Sequence, residues 1–366
     1  MDLALGERRL EKVDWLPMGI HILDAMSREG FEEVIGVHDR KSGLRALIAI
    51  HDTSAGPAFG GIRRWSYLSE RAALMDCLRL ARAMTYKCVL AGIPGGGAKA
   101  VVLDDPALDI EGAYRHLGKM VEGMNGRFYT GPDVGTDGTA LDWLSAETSY
   151  VTRTGPEGPG DLGGATAAGA FAGIRAGLRH IDGEVDWSAR KIVIQGLGEV
   201  GAKLASRLIE VGATVVGTDI DTDHGEAVAR RLGFEFVEPS TEIQIECDVF
   251  APCALGGILH DVTIERLRTR IVAGAANNVL AKNHHGDMLH GRGVLYLPDF
   301  VLNAGALIRG AFFHLENRIE PLEGIETRIE SAVDEILTCS QSDGIPPFRV
   351  AISIAESRLA QRRGDA

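Results

Sequence analysis

The chain has 366 residues, 38 basic and 51 acidic side chains and a net charge of −13, with 45% hydrophobic and 6% aromatic residues. That composition is globular, its length suits two domains, and its acidity speaks against nucleic acid or a membrane surface as partner. No apolar run reaches the roughly 18 residues of a membrane span, and charges interrupt the N-terminus where a signal peptide needs an apolar core, so a cytoplasmic location is expected.

The first twenty residues lack apolar periodicity and read as a partly ordered extension. A short helix is expected over 20–28, stopping near Gly30. A hairpin follows, with strands at 33–38 and 44–50 around the turn Asp39-Arg40-Lys41-Ser42-Gly43. The small, glycine-rich stretch Ser54 to Gly61 reads as a loop. Ser69 has the character of an N-cap for a helix reaching about Thr85, with Leu74, Cys77, Leu78 and Ala81 on one face. A strand at 101–103, a helix over 110–125, a strand-like 128–130 and a helix over 139–150 come next. The segment 154–164, rich in Gly and Pro, is the clearest linker.

Beyond it a small-residue helix (166–179) precedes alternating strands and helices. Strands are expected at 191–195, 213–218, 249–251, 271–273 and 294–296. This alternation predicts a parallel sheet with helices on both faces. The last fifty residues are helical, over 324–338 and 347–363.

One segment in the second half carries a binding signature. The strand Lys191–Gln195 runs into Gly196-Leu197-Gly198-Glu199-Val200-Gly201, then a helix over 202–211, then a strand closed by Asp219. A glycine fingerprint in this setting suits a dinucleotide: Gly196 for the turn, Gly198 for approach to the pyrophosphate, Gly201 for helix–strand packing. The helix N-terminus attracts phosphate. Asp219 would accept from ribose hydroxyls and repel a 2′-phosphate, so NAD is favoured over NADP.

The chemistry-bearing candidates lie mostly in the first half. Only eight of the basic residues are lysines. Two of them, Lys87 and Lys99, stand in apolar, glycine-rich sequence, a poor setting for a solvated charge. Lys99 follows Gly95-Gly96-Gly97-Ala98, where a ligand could approach the backbone, and lost hydration would lower its pKa. Asp133 lies in Gly131-Pro132-Asp133-Val134-Gly135 and alone reads as a turn residue. Asn277 and Asn278 follow a small-residue strand end, where doubly wound sheets bind ligands. Cys253 has no histidine partner in the local sequence and reads as packing. The five cysteines lack metal-ligand spacing, so neither a disulfide framework nor a metal site is expected.

Eight segments, GPAFGGIR (56–63), MTYK (84–87), PGGGAK (94–99), TGPDVGT (130–136), QGLGEVG (195–201), FAPCALGG (250–257), AGAANN (273–278) and PDFVLNAGA (298–306), stand in the order found in amino-acid dehydrogenases. The chain resembles the leucine, valine, phenylalanine and tryptophan dehydrogenase branch of that superfamily. The resemblance implies an α/β protein: an N-terminal substrate, catalytic and oligomerisation domain (1–152), a C-terminal Rossmann-like doubly wound NAD-binding domain (153–335), a cleft between them, and a C-terminal helix (336–366) returning to the first domain. It implies NAD-dependent, reversible oxidative deamination of an apolar L-amino acid, phenylalanine-like or leucine-like, to the 2-oxo acid and ammonia, by a homo-oligomer (dimer or octamer).

By the same resemblance Lys99 is the catalytic lysine and Asp133 the proton-shuttling carboxylate. Lys87 binds the substrate carboxylate, and Gly60 and Gly61 let backbone lie against the substrate. Asn277 lies by the substrate and Asn278 by the nicotinamide, with Thr166 and Asn303 also toward the cofactor. Glu199, Val200, Ala254 and Leu255 belong to the cofactor set with Gly196, Gly198, Gly201 and Asp219. The two lysines are expected in opposite pKa environments, one paired with a carboxylate ligand and one tuned for proton transfer. Gly131, Leu307 and Gly310 depart from the residues usual in leucine dehydrogenases, and the two glycines enlarge the side-chain pocket. Ala98 and Pro132 also depart from the usual pattern. A catalytically silent NAD- or amino-acid-binding homologue, and a dehydrogenase for tryptophan or another unusual amino acid, are the alternatives.

Overall fold

Two sheets form from two different sequence patterns. The computed structural model describes residues 22–364 apart from 154, 156, 157 and 255. The chain runs through α1 (Ile22–Glu29), β1 (Glu33–Asp39), β2 (Leu44–Ile50), β3 (Ala58–Phe59), β4 (Ile62–Trp65), α2 (Glu70–Leu90), β5 (Gly96–Leu103), α3 (Ile110–Gly123), β6 (Phe128–Tyr129) and α4 (Gly138–Ser145). It continues with α5 (Leu162–Asp182), β7 (Lys191–Gln195), α6 (Glu199–Glu210), β8 (Thr214–Thr218), α7 (Thr222–Leu232), β9 (Glu235–Phe236), β10 (Cys247–Pro252), α8 (Asp261–Arg266), β11 (Thr269–Val272), α9 (His284–Gly291) and β12 (Leu295–Tyr296). Then follow α10 (Asp299–Leu302), α11 (Gly305–Glu316), α12 (Leu322–Asp343) and α13 (Pro347–Arg363).

The first sheet has the order β1-β2-β5-β3-β6, with β4 also paired to β5. The hairpin β1–β2 and the pair β2–β5 are antiparallel. β3 and β4 both run parallel to β5. Ile48, Ile50 and Ile62 are fully buried beneath α3. The second sheet, β12-β11-β10-β7-β8-β9, is parallel throughout. Its strand order reverses between β7 and β10, which opens a crevice at their C-terminal ends, where doubly wound folds bind ligands.

The sequence reading of Ser54 to Gly61 as a loop, and of a strand only from Val101, needs correction. β3 and β4 occupy the first stretch and the next, and β5 already begins at Gly96. Close backbone packing explains the disguise. A Cβ on Gly96 would lie 1.8 Å from the Asp52 carbonyl oxygen, and one on Gly97 would lie 2.1 Å from the Thr85 nitrogen in α2. The glycines are therefore required by the backbone after β2 and by α2. They carry no side chains to show a strand's alternation.

Several helix ends also move. α2 extends past Thr85 because Cys88, Val89 and Leu90 are buried. Its start is as expected, with the Ser69 hydroxyl accepting from Ala72 N–H, a cap worth about 1 kcal/mol. α5 starts at Leu162 and not at Thr166, since the Asp161 carboxylate accepts from Gly164 N–H. α6 begins at Glu199, directly on the glycine turn. α4 stops at Ser145, short of Tyr150. The expected extension over the first twenty residues lies outside the described residues.

α13 reaches the first sheet. Arg363 pairs with the fully buried Asp52 at 2.9 Å, and Arg362 donates to the carbonyls of Ile93 and Gly95. Among the described residues no helix is long and apolar enough to cross a membrane.

Candidate active site

β5, β6 and α2 on one side, and the segments after β10 and β11 with α5, α10 and α11 on the other, line a cavity of about 480 Å³. Lys99 projects from β5 and is 5% exposed. Its Nζ lies 2.6 Å from Asp133 Oδ2, on the loop after β6. The same oxygen accepts from Arg63 Nε at 3.0 Å. Arg63 is anchored in turn, Nη1 donating to Asp76 Oδ2 at 3.1 Å, while Tyr67 and Arg79 also donate to Asp76. A chain of charges from α2 to β4 thus fixes the carboxylate beside the lysine.

Burial disfavours the Asp133 carboxylate, but Lys99 and then Arg63 outweigh it and hold its pKa at about 2. Lys99 is moved the other way. Desolvation lowers its pKa, and the Asp133 charge recovers only part of the loss. Burial likewise pushes Lys87 down, to about 8, with Asp299 as the main opposing charge. The expectation of opposite pKa environments for the two lysines is therefore wrong for the ligand-free protein. Both are depressed by the same cause, removal from water.

Lys87 lies in the last turn of α2 and donates to Asn277 Oδ1 at 3.2 Å. Asn303 Nδ2 donates to that same oxygen at 2.9 Å. Arg79 reaches Asn278 Oδ1 at 2.6 Å, a second bond across the cleft. The structure thus brings together Lys87, Lys99, Asp133, Asn277, Asn278 and Asn303 around one cavity. Gly60 and Gly61 line it as well, for a reason beyond ligand approach. A Cβ at Gly60 would lie 1.8 Å from the Ala98 carbonyl oxygen, and one at Gly61 2.5 Å from that of Pro132. Thr166, Val200 and Ala254 line the opposite wall, and Gly131, Leu307 and Gly310 another part.

The glycine turn adjoins this wall. Gly196 takes φ +93, and a Cβ on Gly201 would lie 1.9 Å from the Gly196 carbonyl oxygen. Gly198 is exposed, with open space where its Cβ would stand, so its backbone and the α6 N-terminus are free to meet a phosphate. Asp219 closes β8 and accepts from Leu197 N–H at 2.7 Å. Glu199 is exposed and paired with Lys203, leaving its backbone position, at the start of α6, as its link to this turn. Leu255 lies outside the described residues. The Asn303 Oδ1 atom is buried without a partner, an acceptor awaiting a donor on the cleft wall. An open turn at a helix start, an acid at the next strand end and this orphaned acceptor fit a nicotinamide dinucleotide.

Cys253 lines the cleft, and burial pushes its thiol up to about 11, so it is inert at neutral pH. Outside the cleft, Asp261, His284 and His285 bring possible ligand atoms within 4.8 Å. His285 Nδ1 accepts from Lys282 N–H, which leaves the ring proton on Nε2, the atom facing Asp261 at 3.5 Å. A protonated nitrogen is no metal ligand.

Sequence reasoning gave no role to Arg63, Asp76, Thr152 or His314. Arg63 stands inside one of the quoted segments, and a basic residue two positions beyond a glycine pair was the only signal available. Thr152 lines the cavity and bonds to His314, 162 positions away in the chain, a pairing without a sequence signal.

Similarity to known proteins agrees with this geometry. A family model described as Glu/Leu/Phe/Val dehydrogenase, dimerisation domain, matches residues 32–150, and one described as Glutamate/Leucine/Phenylalanine/Valine dehydrogenase matches residues 219–341. The leucine dehydrogenase of Thermoactinomyces intermedius is 39% identical over 349 residues, covering 93% of this chain and 94% of the relative. The phenylalanine dehydrogenase of Bacillus thermotolerans is 40% identical over 342 residues, covering 90% and 89%. The crystal structure of L-tryptophan dehydrogenase from Nostoc punctiforme superposes with a TM-score of 0.82 at 36% identity, over 93% of this chain and 99% of that one. Relatives with different substrates stand at nearly equal identity, so the pocket and not overall likeness must separate them.

Proposed function

The chain belongs to the Glu/Leu/Phe/Val dehydrogenase family, enzymes of amino-acid oxidative deamination that use a nicotinamide cofactor, and from that premise we propose NAD as its cofactor and Lys99 and Asp133 as its catalytic pair. The observation that carries the pairing is the 2.6 Å contact of a buried lysine with a carboxylate on the cavity wall.

In this reading Lys87, cationic below about pH 8, takes the substrate carboxylate. Asp133 faces the amino group and passes its proton. A nicotinamide held there would supply the hydride acceptor, so that loss of hydride from the substrate Cα would leave an imine. Lys99 in its neutral form takes a proton from water as that water adds to the imine carbon. Collapse of the adduct breaks the C–N bond and releases ammonia, leaving the 2-oxo acid. The lowered pKa of Lys99 makes its neutral form easier to reach than that of a solvated lysine. Asn277, bonded to both Lys87 and Asn303, holds the cleft wall in register with the carboxylate site.

NAD is favoured over NADP because Asp219 would meet a 2′-phosphate with like charge. Gly196, Gly198, Gly201 and the backbone at Glu199 would hold the pyrophosphate, with Val200 and Ala254 beside it. Thr166, Asn278 and Asn303 would face the nicotinamide. Gly131 and Gly310 leave room for a bulky side chain, with Leu307 bordering it, so phenylalanine or a similarly bulky substrate is favoured over a leucine-like one. A tryptophan-like substrate is the second reading, since the tryptophan dehydrogenase superposes over nearly its whole length. The matched dimerisation domain supports self-association, as a dimer or an octamer.

The test is reduced-cofactor formation at alkaline pH from a panel of L-amino acids, with NAD and NADP in parallel. Turnover of bulky apolar amino acids with NAD is expected. Absence of turnover with every amino acid, despite NAD binding, would leave the silent-homologue alternative standing.

A further inference from the structure

The glycines at 131 and 310 have one neighbour in common. A Cβ on Gly131 would lie 3.3 Å from Thr152 Cβ, and one on Gly310 would lie 3.4 Å from Thr152 Cγ2 and 3.5 Å from its Oγ1. The room that the two glycines leave therefore ends on Thr152, and on its hydroxyl as well as its methyl. Thr152 lines the cavity, whereas His314 does not. His314 Nε2 nevertheless sits 2.9 Å from Thr152 Oγ1 and fixes that hydroxyl from the far side. The His314 ring is itself held against Tyr129, with centroids 4.6 Å apart, and Tyr129 stacks on Phe59 at 5.5 Å. Aromatic and apolar walls thus lead to this fixed polar group.

We propose that this end of the cleft recognises an aromatic amino acid whose ring carries its own N–H or O–H, which bonds to the Thr152 hydroxyl held in place by His314. The proposal rests on the deamination reading above and narrows its substrate class.

The hydrogen-bonding capacity of the pair supports it. Burial lowers the pKa of His314 to about 4, so the ring is neutral in the working range. A neutral ring nitrogen takes up only one of the hydroxyl's three possibilities, one donor and two lone pairs. If Nε2 accepts, both Thr152 lone pairs are open to a substrate N–H or O–H. If Nε2 donates, one lone pair and the hydroxyl proton remain. In either tautomer the tip of the pocket has a vacancy for a polar partner and none for a charge. A saturated side chain such as leucine would cover that hydroxyl without bonding to it. The hydroxyl keeps His314 as partner in every case, so a substrate without a matching group forgoes one hydrogen bond that a ring N–H or O–H would make. A flat ring also suits the aromatic walls better than a branched alkyl chain.

The experiment compares kcat/KM for L-tryptophan, L-tyrosine, L-phenylalanine and L-leucine in the wild type, Thr152→Val and His314→Leu. Calorimetric binding of the same four amino acids runs alongside. The wild type should favour tryptophan or tyrosine over phenylalanine by about two- to tenfold, the worth of one hydrogen bond. Thr152→Val, which keeps the shape and deletes the hydroxyl, should remove that preference, a fall of about two- to tenfold in the ratio. His314→Leu should cut it in the same direction by freeing the hydroxyl's orientation. Phenylalanine or leucine preferred by the wild type would overturn the proposal, and so would a Thr152→Val loss equal for all four substrates. Tight binding in the expected order without turnover would support the slot and count against deamination. Turnover with leucine preferred would do the reverse.

Discussion

Removing the charge of Arg63 should move the pH dependence of the reaction by one to two pH units. Arg63 Nε and Lys99 Nζ touch the same Asp133 oxygen, at 3.0 and 2.6 Å, so the two cations lie at most 5.6 Å apart, the sum of those distances. Two like charges at that separation repel by about 3 kcal/mol at an effective dielectric of about 20, or roughly two pH units. The intervening carboxylate and the partial exposure of Arg63 reduce this, so about one unit is the lower expectation. The sign follows from which form is disfavoured. Arg63 penalises protonated Lys99, so Arg63→Met raises the lysine's pKa. Activity that needs neutral Lys99 then sets in at higher pH. The assay is kcat/KM for oxidative deamination across the alkaline range in wild type, Arg63→Met and Arg63→Lys. The acidic limb should shift upward in the methionine variant and return toward wild type with lysine. An acidic limb unmoved to within about 0.3 pH unit in Arg63→Met would refute the assignment of that limb to Lys99.

Three further outcomes follow from individual contacts. KM for the amino acid should rise above about pH 8 as Lys87 loses its charge, and Lys87→Arg should flatten that rise, read from KM against pH. Asp219→Ser should raise the NADP-to-NAD ratio of kcat/KM by about tenfold or more, while loss of the bond to Leu197 N–H weakens both cofactors, read from initial rates. Gly97→Ala puts a Cβ 2.1 Å from Thr85 N and 2.5 Å from the Ala81 carbonyl oxygen. It should cost about 1–3 kcal/mol of stability, seen as a lowered melting midpoint, because neither backbone atom can move aside without displacing α2 from β5.

How far the sequence could be read depended on what each segment packs against. β7 and β10 are runs of apolar residues buried on both faces, and such runs stand out in any sequence. The glycine turn was legible because each of its parts has a fixed spacing. The start of β5 was not, since Gly96 and Gly97 are pressed against Asp52 and Thr85 and show no alternation. Within the site, Lys99 stood out by its apolar setting and Lys87 by the scarcity of lysines. Asp133 alone looked like a turn residue, and only the family resemblance drew attention to it. Arg63 went unread because arginines number thirty here and most belong to solvent. The pKa expectation failed for a related reason. The sequence suggested a role for each lysine, but desolvation depends on the walls of the cleft, which come from both sheets.

The central claim is that Lys99 and Asp133 carry out NAD-dependent deamination of a bulky L-amino acid. The most direct measurement follows ammonia, 2-oxo acid and NADH together, in wild type, Lys99→Ala and Asp133→Asn. The account predicts equal amounts of the three products from the wild type. It also predicts a loss of about 10²–10⁴-fold in kcat/KM in each variant, the usual worth of a general acid or base, with NAD binding retained. A wild-type rate in Lys99→Ala, or NADH formed without ammonia, would contradict it.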